Sequence, residues 1–364
     1  MITVSLCMIV KNEEKVLGRC LDSAKRLVDE IIIVDTGSVD ATKKIAAEYT
    51  RKIYDFKWID DFSAARNFSF SKASMDYIFW LDADDEISKE QADKFIELKE
   101  KLSMEVDMVT MLYDTAFDSY GKPLMTSTRE RLVKRDRAFR WIDPVHECIP
   151  LSENIYYSDI RISHKKEKTD GISHRNIKIY EKMEIESAVF TPRQLYYYAR
   201  EFFDHSRYEK SAEYLKLFLE GGQGWKEDNI AACVLLAKCY GNLNEQEKML
   251  SSLVKSFEYD SPRPEACCEL GYFYKRKNDF KTALKWFETA LNAQYGDSIG
   301  FVQEKFSAMV PHLELCVCYY GLGDIKKAIF HNNMATEINE NDKSVIYNNE
   351  FFAKSTRERN REVV

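Results

Sequence analysis

The chain has 364 residues, 45% of them apolar and 31% charged, with a formal net charge of −7. That length holds two or three ordinary cores, and the acidic balance gives no electrostatic argument for nucleic acid. The apolar run Thr3–Val10 falls well short of the ~20 residues that span a bilayer, and Lys11-Asn12-Glu13-Glu14 interrupts it, so neither a transmembrane segment nor a signal peptide is expected.

In chain order, Val4–Val10 reads as a strand and Glu14–Lys25 as a helix, with Val16, Leu17, Cys20, Leu21 and Ala24 at helical spacing. Glu30–Val34 is a second strand ending at Asp35. Thr42–Tyr49 is a second helix, Lys52–Tyr54 a short third strand, Ser63–Lys72 a third helix and Tyr77–Leu81 a buried fourth strand. Strands separated by helices predict an α/β layer fold with a mostly parallel sheet, in which ligands gather at the carboxyl ends of strands. Asp35 and Asp82 both stand at such ends.

The strands stop after about Gly171, and the remainder is helical and repeats. Tyr208–Leu215, Phe280–Phe287 and Ile325–Ile329 are related copies, and the first two start 72 residues apart, two periods near the ~34 of a tetratricopeptide repeat. A degraded copy is read around Leu236–Phe257, and an insertion near Asn292–Phe306 is looped out. The predicted organisation is an α/β domain over 1–170, a linker helix over 171–190, helical repeats over 191–345 and a terminal helix or tail over 346–364. Nine cysteines include none at C-x-x-C spacing. Cys267, Cys268, Cys316 and Cys318 lie in helical patterns and read as small buried apolar residues, which fits a reduced, cytoplasmic setting.

Chemistry concentrates at Leu81-Asp82-Ala83-Asp84-Asp85. A buried strand ending in three carboxylates is costly unless something binds them, and a hard divalent cation that also carries a diphosphate is the usual partner. Asp82 and Asp84 are the candidate ligands, with Asp85 and Glu86 behind them, and His164, after the strand-like Ile160–Ser163, can complete the shell. The alternative is an acidic helix start favoured by the macrodipole. Val34–Thr42 is a strand, a tight turn at Gly37 and a helix start capped by Ser38 or Asp40, with Asp35 able to accept a hydrogen bond from a base or ribose. Arg66 offers a fork of donors to phosphate or base oxygens, or a surface ion pair with Asp60 or Asp61. Asp143, His146 and Glu147, beside Trp141, are candidate general bases. Arg129 and Arg131 can contact phosphate, but solvated charge is the commoner reading.

Taken as an ordered set, Ser5–Glu14, Asp35–Thr42, Ala65-Arg66-Asn67 and Trp80–Asp85 resemble family 2 glycosyltransferases of the GT-A fold. Trp141–Glu147 and His164 resemble the branch that includes lipopolysaccharide-core glucosyltransferases. The added helical repeats resemble sublancin-type peptide S-glycosyltransferases. The resemblance implies a nucleotide-sugar site on Val10, Asn12, Glu13, Asp35, Thr36, Gly37, Arg66, Asp82 and Ala83, with Asp35 and Arg66 in the uridine pocket. It implies Mg²⁺ or Mn²⁺ on Asp82, Asp84 and His164, and inversion at the anomeric carbon assisted by a base. Many relatives carry a second acidic residue where this chain has Thr36. The expected function is hexose transfer from a UDP-sugar to a Cys, Ser or Thr side chain of a peptide or protein held partly by the repeats, by a chain that can form a homodimer. Transfer to lipopolysaccharide or another glycan, and an inactive transferase fold serving as an interaction protein, are the rivals.

Overall fold

The computed structural model describes residues 1–117, 121, 123–165, 173–186, 188–293 and 304–362, with the side chains of all but 304 and 355–362. The chain divides into two units, Met1–Val189 and Phe190–Val364. The expected boundary at 170/171 falls outside the described residues.

In the first unit, β1 (Val4–Val10), α1 (Leu17–Ala24), β2 (Glu30–Asp35), α2 (Thr42–Ala46), β3 (Ile53–Asp55), α3 (Phe62–Phe70) and β4 (Tyr77–Trp80) follow the alternation legible in the sequence. They are followed by β5 (Asp85–Glu86), α4 (Lys89–Lys101), β6 (Met108–Phe117), β7 (Pro123–Lys134), β8 (Ile155–His164) and α5 (Arg175–Ile185). The sheet order is β3-β2-β1-β4-β7-β6-β8-β5. Its first four strands are parallel, β6 and β8 are parallel, and β7 and β5 run antiparallel to their neighbours.

Period-two side chains fill both faces of this sheet. Leu6, Met8, Tyr77 and Phe79 pack with Leu17 and Leu21 of α1 and Phe95 of α4, while Cys7, Ile78 and Trp80 pack with Phe70 of α3 and Trp141. The chain steps from β1 to β2 on one side and from β3 back to β4 on the other, so strand order reverses beside β1. That reversal opens a crevice at the carboxyl ends of β1 and β4.

The second half of the sheet curls. Four residues separate β4 from β5, yet three strands stand between them in sheet order. A flat sheet places those strands about 19 Å apart at ~4.8 Å per step. The linking residues form a tight turn, with the Asp85 amide bonded to the Asp82 carbonyl at 3.1 Å, and cannot span that distance. The strands therefore wrap round until β5 closes near the end of β4, and the turn between them becomes the mouth of the curl.

The second unit consists of helical pairs, among the described residues α6 (Pro192–Asp204) with α7 (Tyr208–Gly221), α8 (Lys226–Asn242) with α9 (Gln246–Lys255), α10 (Pro264–Arg276) with α11 (Phe280–Asn292) and α12 (Met309–Gly321) with α13 (Ile325–Ile338), then α14 (Lys343–Glu362). The three copies read from sequence begin α7, α11 and α13. Asp279 and Asp324 cap the last two, accepting from the amides of Thr282 and Lys327. Close pairing of α10 on α11 requires Gly271, where a Cβ would lie 2.5 Å from the Phe287 ring. The insertion expected near Asn292–Phe306 falls mainly outside the described residues. None of the nine cysteines forms a disulfide, and all but Cys148 are buried.

Candidate active site

The acidic turn leaves β4 at the crevice and its carboxylates have different partners. Asp85 is fully buried: Oδ2 accepts from Arg131 Nη1 at 2.9 Å and from the Asp82 amide at 3.0 Å, and Oδ1 accepts from the Tyr113 hydroxyl at 2.9 Å. Arg131 lies inside the curl with its guanidinium 3.8 Å from the Trp80 ring centroid and 4.2 Å from that of Tyr113. Its expected solvation is overturned, because a carboxylate buried at Asp85 needs a cation buried beside it. Asp84 is partly exposed and meets His164 Nδ1 at 3.2 Å, and the same nitrogen is 3.3 Å from Asp85 Oδ1 and 2.8 Å from the Tyr113 hydroxyl. Burial works against charge on His164, but hydrogen bonds and the charges of Asp84 and Asp85 outweigh it and raise its pKa to about 10.

Asp82 belongs to a second arrangement. Its Oδ1 accepts from Arg66 Nη2 at 2.7 Å, and Arg66 Nε donates to Glu147 Oε1 at 2.7 Å. The guanidinium sits 5.0 Å from the Trp80 ring centroid and 4.7 Å from that of Trp141, on a side chain only 9% exposed. Burial alone would raise the Asp82 carboxyl, but Arg66 and then Arg131 hold it well below the usual carboxylate range. Of the two Glu147 carboxylate oxygens, Oε1 is the one that Arg66 engages.

The loop carrying Glu147 is pinned to α3. Asn67 exchanges hydrogen bonds with the Trp141 backbone at 2.9 and 3.0 Å, the Phe62 amide donates to the Pro144 carbonyl at 2.8 Å, and Ser63 Oγ donates to the Asp143 carbonyl. Asp143 and His146 adopt left-handed backbone conformations. The His146 ring stacks on Tyr180 of α5 at 6.2 Å. Of the three candidate bases, Glu147 is the one joined to the acidic turn through Arg66.

Across β1, Val10 pairs with Asp35. Asp35 Oδ1 accepts from the amides of Gly37 and Ser38 at 3.0 and 2.9 Å, and Gly37 takes a positive φ of 110°. Asp35 Oδ2 is buried with no hydrogen-bond partner among the described residues, although the residue is only 2% exposed. A buried bare carboxylate oxygen is costly, and a ligand N–H or O–H relieves it. The Thr36 hydroxyl donates to the Val10 carbonyl at 3.2 Å. Asn12, with positive φ, ties its turn to the neighbouring one through Ser38 Oγ and the Val39 amide, each at 2.9 Å. Asp40, not Ser38, binds the start of α2, accepting from the Thr42 amide and hydroxyl. Glu13 is half-buried, and its pKa is raised to about 7 by burial and then by the negative fields of Asp84, Asp82 and Asp40.

Asp84, Asp85 and His164 each offer a ligand atom, all within 4.8 Å of one another. Ala83 is buried and spaces the acidic side chains. Carboxylate oxygens with one imidazole suit Mn²⁺ or Mg²⁺. Because Asp85 is saturated by Arg131, Tyr113 and the turn amide, Asp84 and His164 are the freer members. Sequence reasoning kept Asp85 behind the shell and passed over Tyr113. The signal for Tyr113 and Arg131 lay in the period-two pattern of two strands that the sequence reading left unassigned.

A turn rich in carboxylates at a sheet crevice, beside a buried acceptor at the end of β2, makes this crevice the candidate site of the α/β domain. Residues 5–152 match the glycosyl transferase family 2 profile and residues 264–296 match a tetratricopeptide repeat. The first unit therefore carries a match to family 2 glycosyltransferases and the second a match to a tetratricopeptide repeat.

Among its relatives, a TPR repeat-containing protein of Synechococcus elongatus is 40% identical over 150 residues, 41% of this chain and 36% of that protein. The SPbeta prophage-derived glycosyltransferase SunS of Bacillus subtilis is 25% identical over 362 residues, 93% of this chain and 83% of SunS. An uncharacterized glycosyltransferase of Rickettsia felis is 36% identical over 91 residues, 25% of this chain and 32% of that protein. The chain thus spans about a third of two of these relatives and most of SunS. Among the described residues no helix is long and apolar enough to cross a membrane.

Proposed function

We propose that the chain is an inverting, metal-dependent hexosyltransferase that uses a UDP-sugar and modifies a Cys, Ser or Thr side chain of a peptide or protein. The observation that carries this reading is the acidic turn at the reversal of strand order, with the bare Asp35 oxygen on the other side of β1. In this reading Asp35 accepts a hydrogen bond from the base or ribose, and the turns at Asn12 and Gly37 line the nucleotide. Asp84 and His164, with Asp82 completing the set through the oxygen that Arg66 leaves, would hold Mn²⁺ or Mg²⁺, which when bound neutralises charge on the departing diphosphate.

Glu147 accepts the acceptor's proton on Oε2 as the acceptor oxygen or sulfur bonds to the anomeric carbon and the carbon–oxygen bond to the diphosphate breaks. One displacement inverts the sugar. Peptide acceptors are favoured because similarity to SunS runs through both units, in keeping with the resemblance of the sequence to peptide S-glycosyltransferases. Cysteines that form no disulfide support a reduced, cytoplasmic setting.

A thermal-shift panel of UDP-glucose, UDP-galactose, UDP-N-acetylglucosamine and GDP-mannose, with and without Mn²⁺, tests the donor. A shift with a UDP-hexose that needs Mn²⁺ is expected, and no shift with any of them overturns the reading. Incubating the selected donor with peptide and lipid-linked glycan pools, followed by mass spectrometry, separates the two acceptor classes.

A further inference from the structure

We infer that Arg66 is a positioning residue that fixes Glu147 relative to Asp82, rather than a contact for the donor's base or phosphates. This rests on the base assignment of Glu147 above. Free arginine forks recognise phosphate and carboxylate ligands. Here the Nε and Nη2 edges are already bonded, each at 2.7 Å, to Glu147 Oε1 and Asp82 Oδ1. Trp80 and Trp141, whose ring centroids are 4.8 Å apart, pack together beside the guanidinium, at 5.0 and 4.7 Å from its central carbon. The guanidinium, carried by α3, is thus held by four groups from two segments, the end of β4 and the 141–148 loop.

The two carboxylates it joins have different tasks in the proposed reaction. Asp82 stands on the donor side and Glu147 faces the acceptor. A rigid, planar bidentate cation between them sets their separation, leaves Glu147 Oε2 open and aims it. The two bonds and the aromatic pair on one side make that placement stiff, since rotation of the guanidinium breaks a bond to one carboxylate. Lysine supplies the charge but neither the second edge nor the flat faces, so the loss it causes is one of aim rather than of charge.

The test measures release of UDP with water as the acceptor, using UDP-glucose, or whichever UDP-hexose of the panel gives the larger shift, and Mn²⁺. Wild type, Arg66→Lys, Glu147→Gln and the double variant are compared, and calorimetry of UDP with Mn²⁺ reports donor affinity separately. Arg66→Lys is expected to lower kcat about 100-fold, the scale of an ångström-level misplacement, with KM and UDP affinity within about 3-fold. The double variant is expected to be no more than about 2-fold slower than Glu147→Gln alone, since both changes disable one device.

A loss in Arg66→Lys that appears in UDP affinity rather than kcat overturns the inference in favour of donor binding. Losses that multiply in the double variant overturn it as well. Glu147→Gln with undiminished kcat removes the base assignment and this inference with it, whereas a slow Glu147→Gln beside a fast Arg66→Lys removes the positioning role alone. Matching near-UV circular dichroism confirms that the variants are folded, and Trp141→Leu, which removes one ring of the aromatic pair while keeping both ion pairs, is expected to lose kcat in the same direction by about 10-fold.

Discussion

Asp85 Oδ2 and Arg131 Nη1 lie 2.9 Å apart with neither side chain exposed to solvent. Removing one partner strands a charge inside the curl. Arg131→Met is expected to destabilise the first unit by about 3–5 kcal/mol, and pairing it with Asp85→Leu to recover part of that loss, because no lone charge is then left buried. Urea unfolding followed by circular dichroism measures both.

Tyr113 holds His164 from behind. Its hydroxyl touches both Nδ1 of the imidazole and Asp85 Oδ1. Tyr113→Phe keeps the ring but frees the histidine, and groups that orient a metal ligand typically matter by about 10–100-fold in affinity. The expected outcome is a rise of about 10-fold in the Mn²⁺ concentration needed for UDP binding, with unchanged thermal unfolding in the absence of metal.

Asp35 separates two functions of the crevice. Asp35→Asn keeps the shape but turns one acceptor into a donor. UDP affinity is expected to fall at least ~10-fold because an unpaired polar contact replaces a charge-assisted one. Asp84→Ala is expected to abolish the Mn²⁺ dependence of UDP binding while sparing the weaker metal-free binding. Calorimetry with and without chelator distinguishes the two patterns.

Glu30, at the opposite end of β2, predicts how the fold responds to acid. Burial would raise its carboxyl, but Lys52, Ser5 and two bonds from Ser74 outweigh it and lower the pKa to about 2. A carboxyl depressed in the folded state stabilises the fold fully above its unfolded pKa near 4.5, and this stability is lost as pH falls toward 2. With the half-exposed Lys52 discounted for solvent screening, the contribution is about 1–2 kcal/mol. Glu30→Gln is expected to lower stability by that amount at pH 7 and to have little effect at pH 2.5, as read by urea titrations.

In the second unit, Gly271→Ala forces a methyl group against the buried Phe287 ring. Overpacking of this kind costs about 1–3 kcal/mol. The variant is expected to lower the unfolding midpoint of the helical repeats, measured by far-UV circular dichroism.

The parallel half of the sheet was legible because each of its strands is an apolar run next to an amphipathic helix, and β1 matches the predicted span residue for residue. Asp35 and the acidic turn were legible for the same reason, since they stand where those runs stop. The repeats were legible in phase, with Tyr208, Phe280 and Ile325 each opening a helix. The β6–β7–β8 half was harder to read: its strands carry Thr, Arg, Glu and Asp at buried positions that are satisfied only by partners distant in sequence. Thr126 and Arg161, for instance, both bond Asp114. Arg66 could be recognised as a candidate but not assigned, because its partners lie 16 and 81 residues away and only the folded sheet brings them together.

The sequestered thiols bear on the proposed transfer to a cysteine acceptor. Burial pushes Cys233, Cys239 and Cys316 up to about 11, and a protonated, enclosed thiol is a poor nucleophile. If the acceptor atom is sulfur, the protein keeps eight of its nine thiols out of competition with the substrate, so automodification is suppressed by packing rather than by selectivity at the crevice.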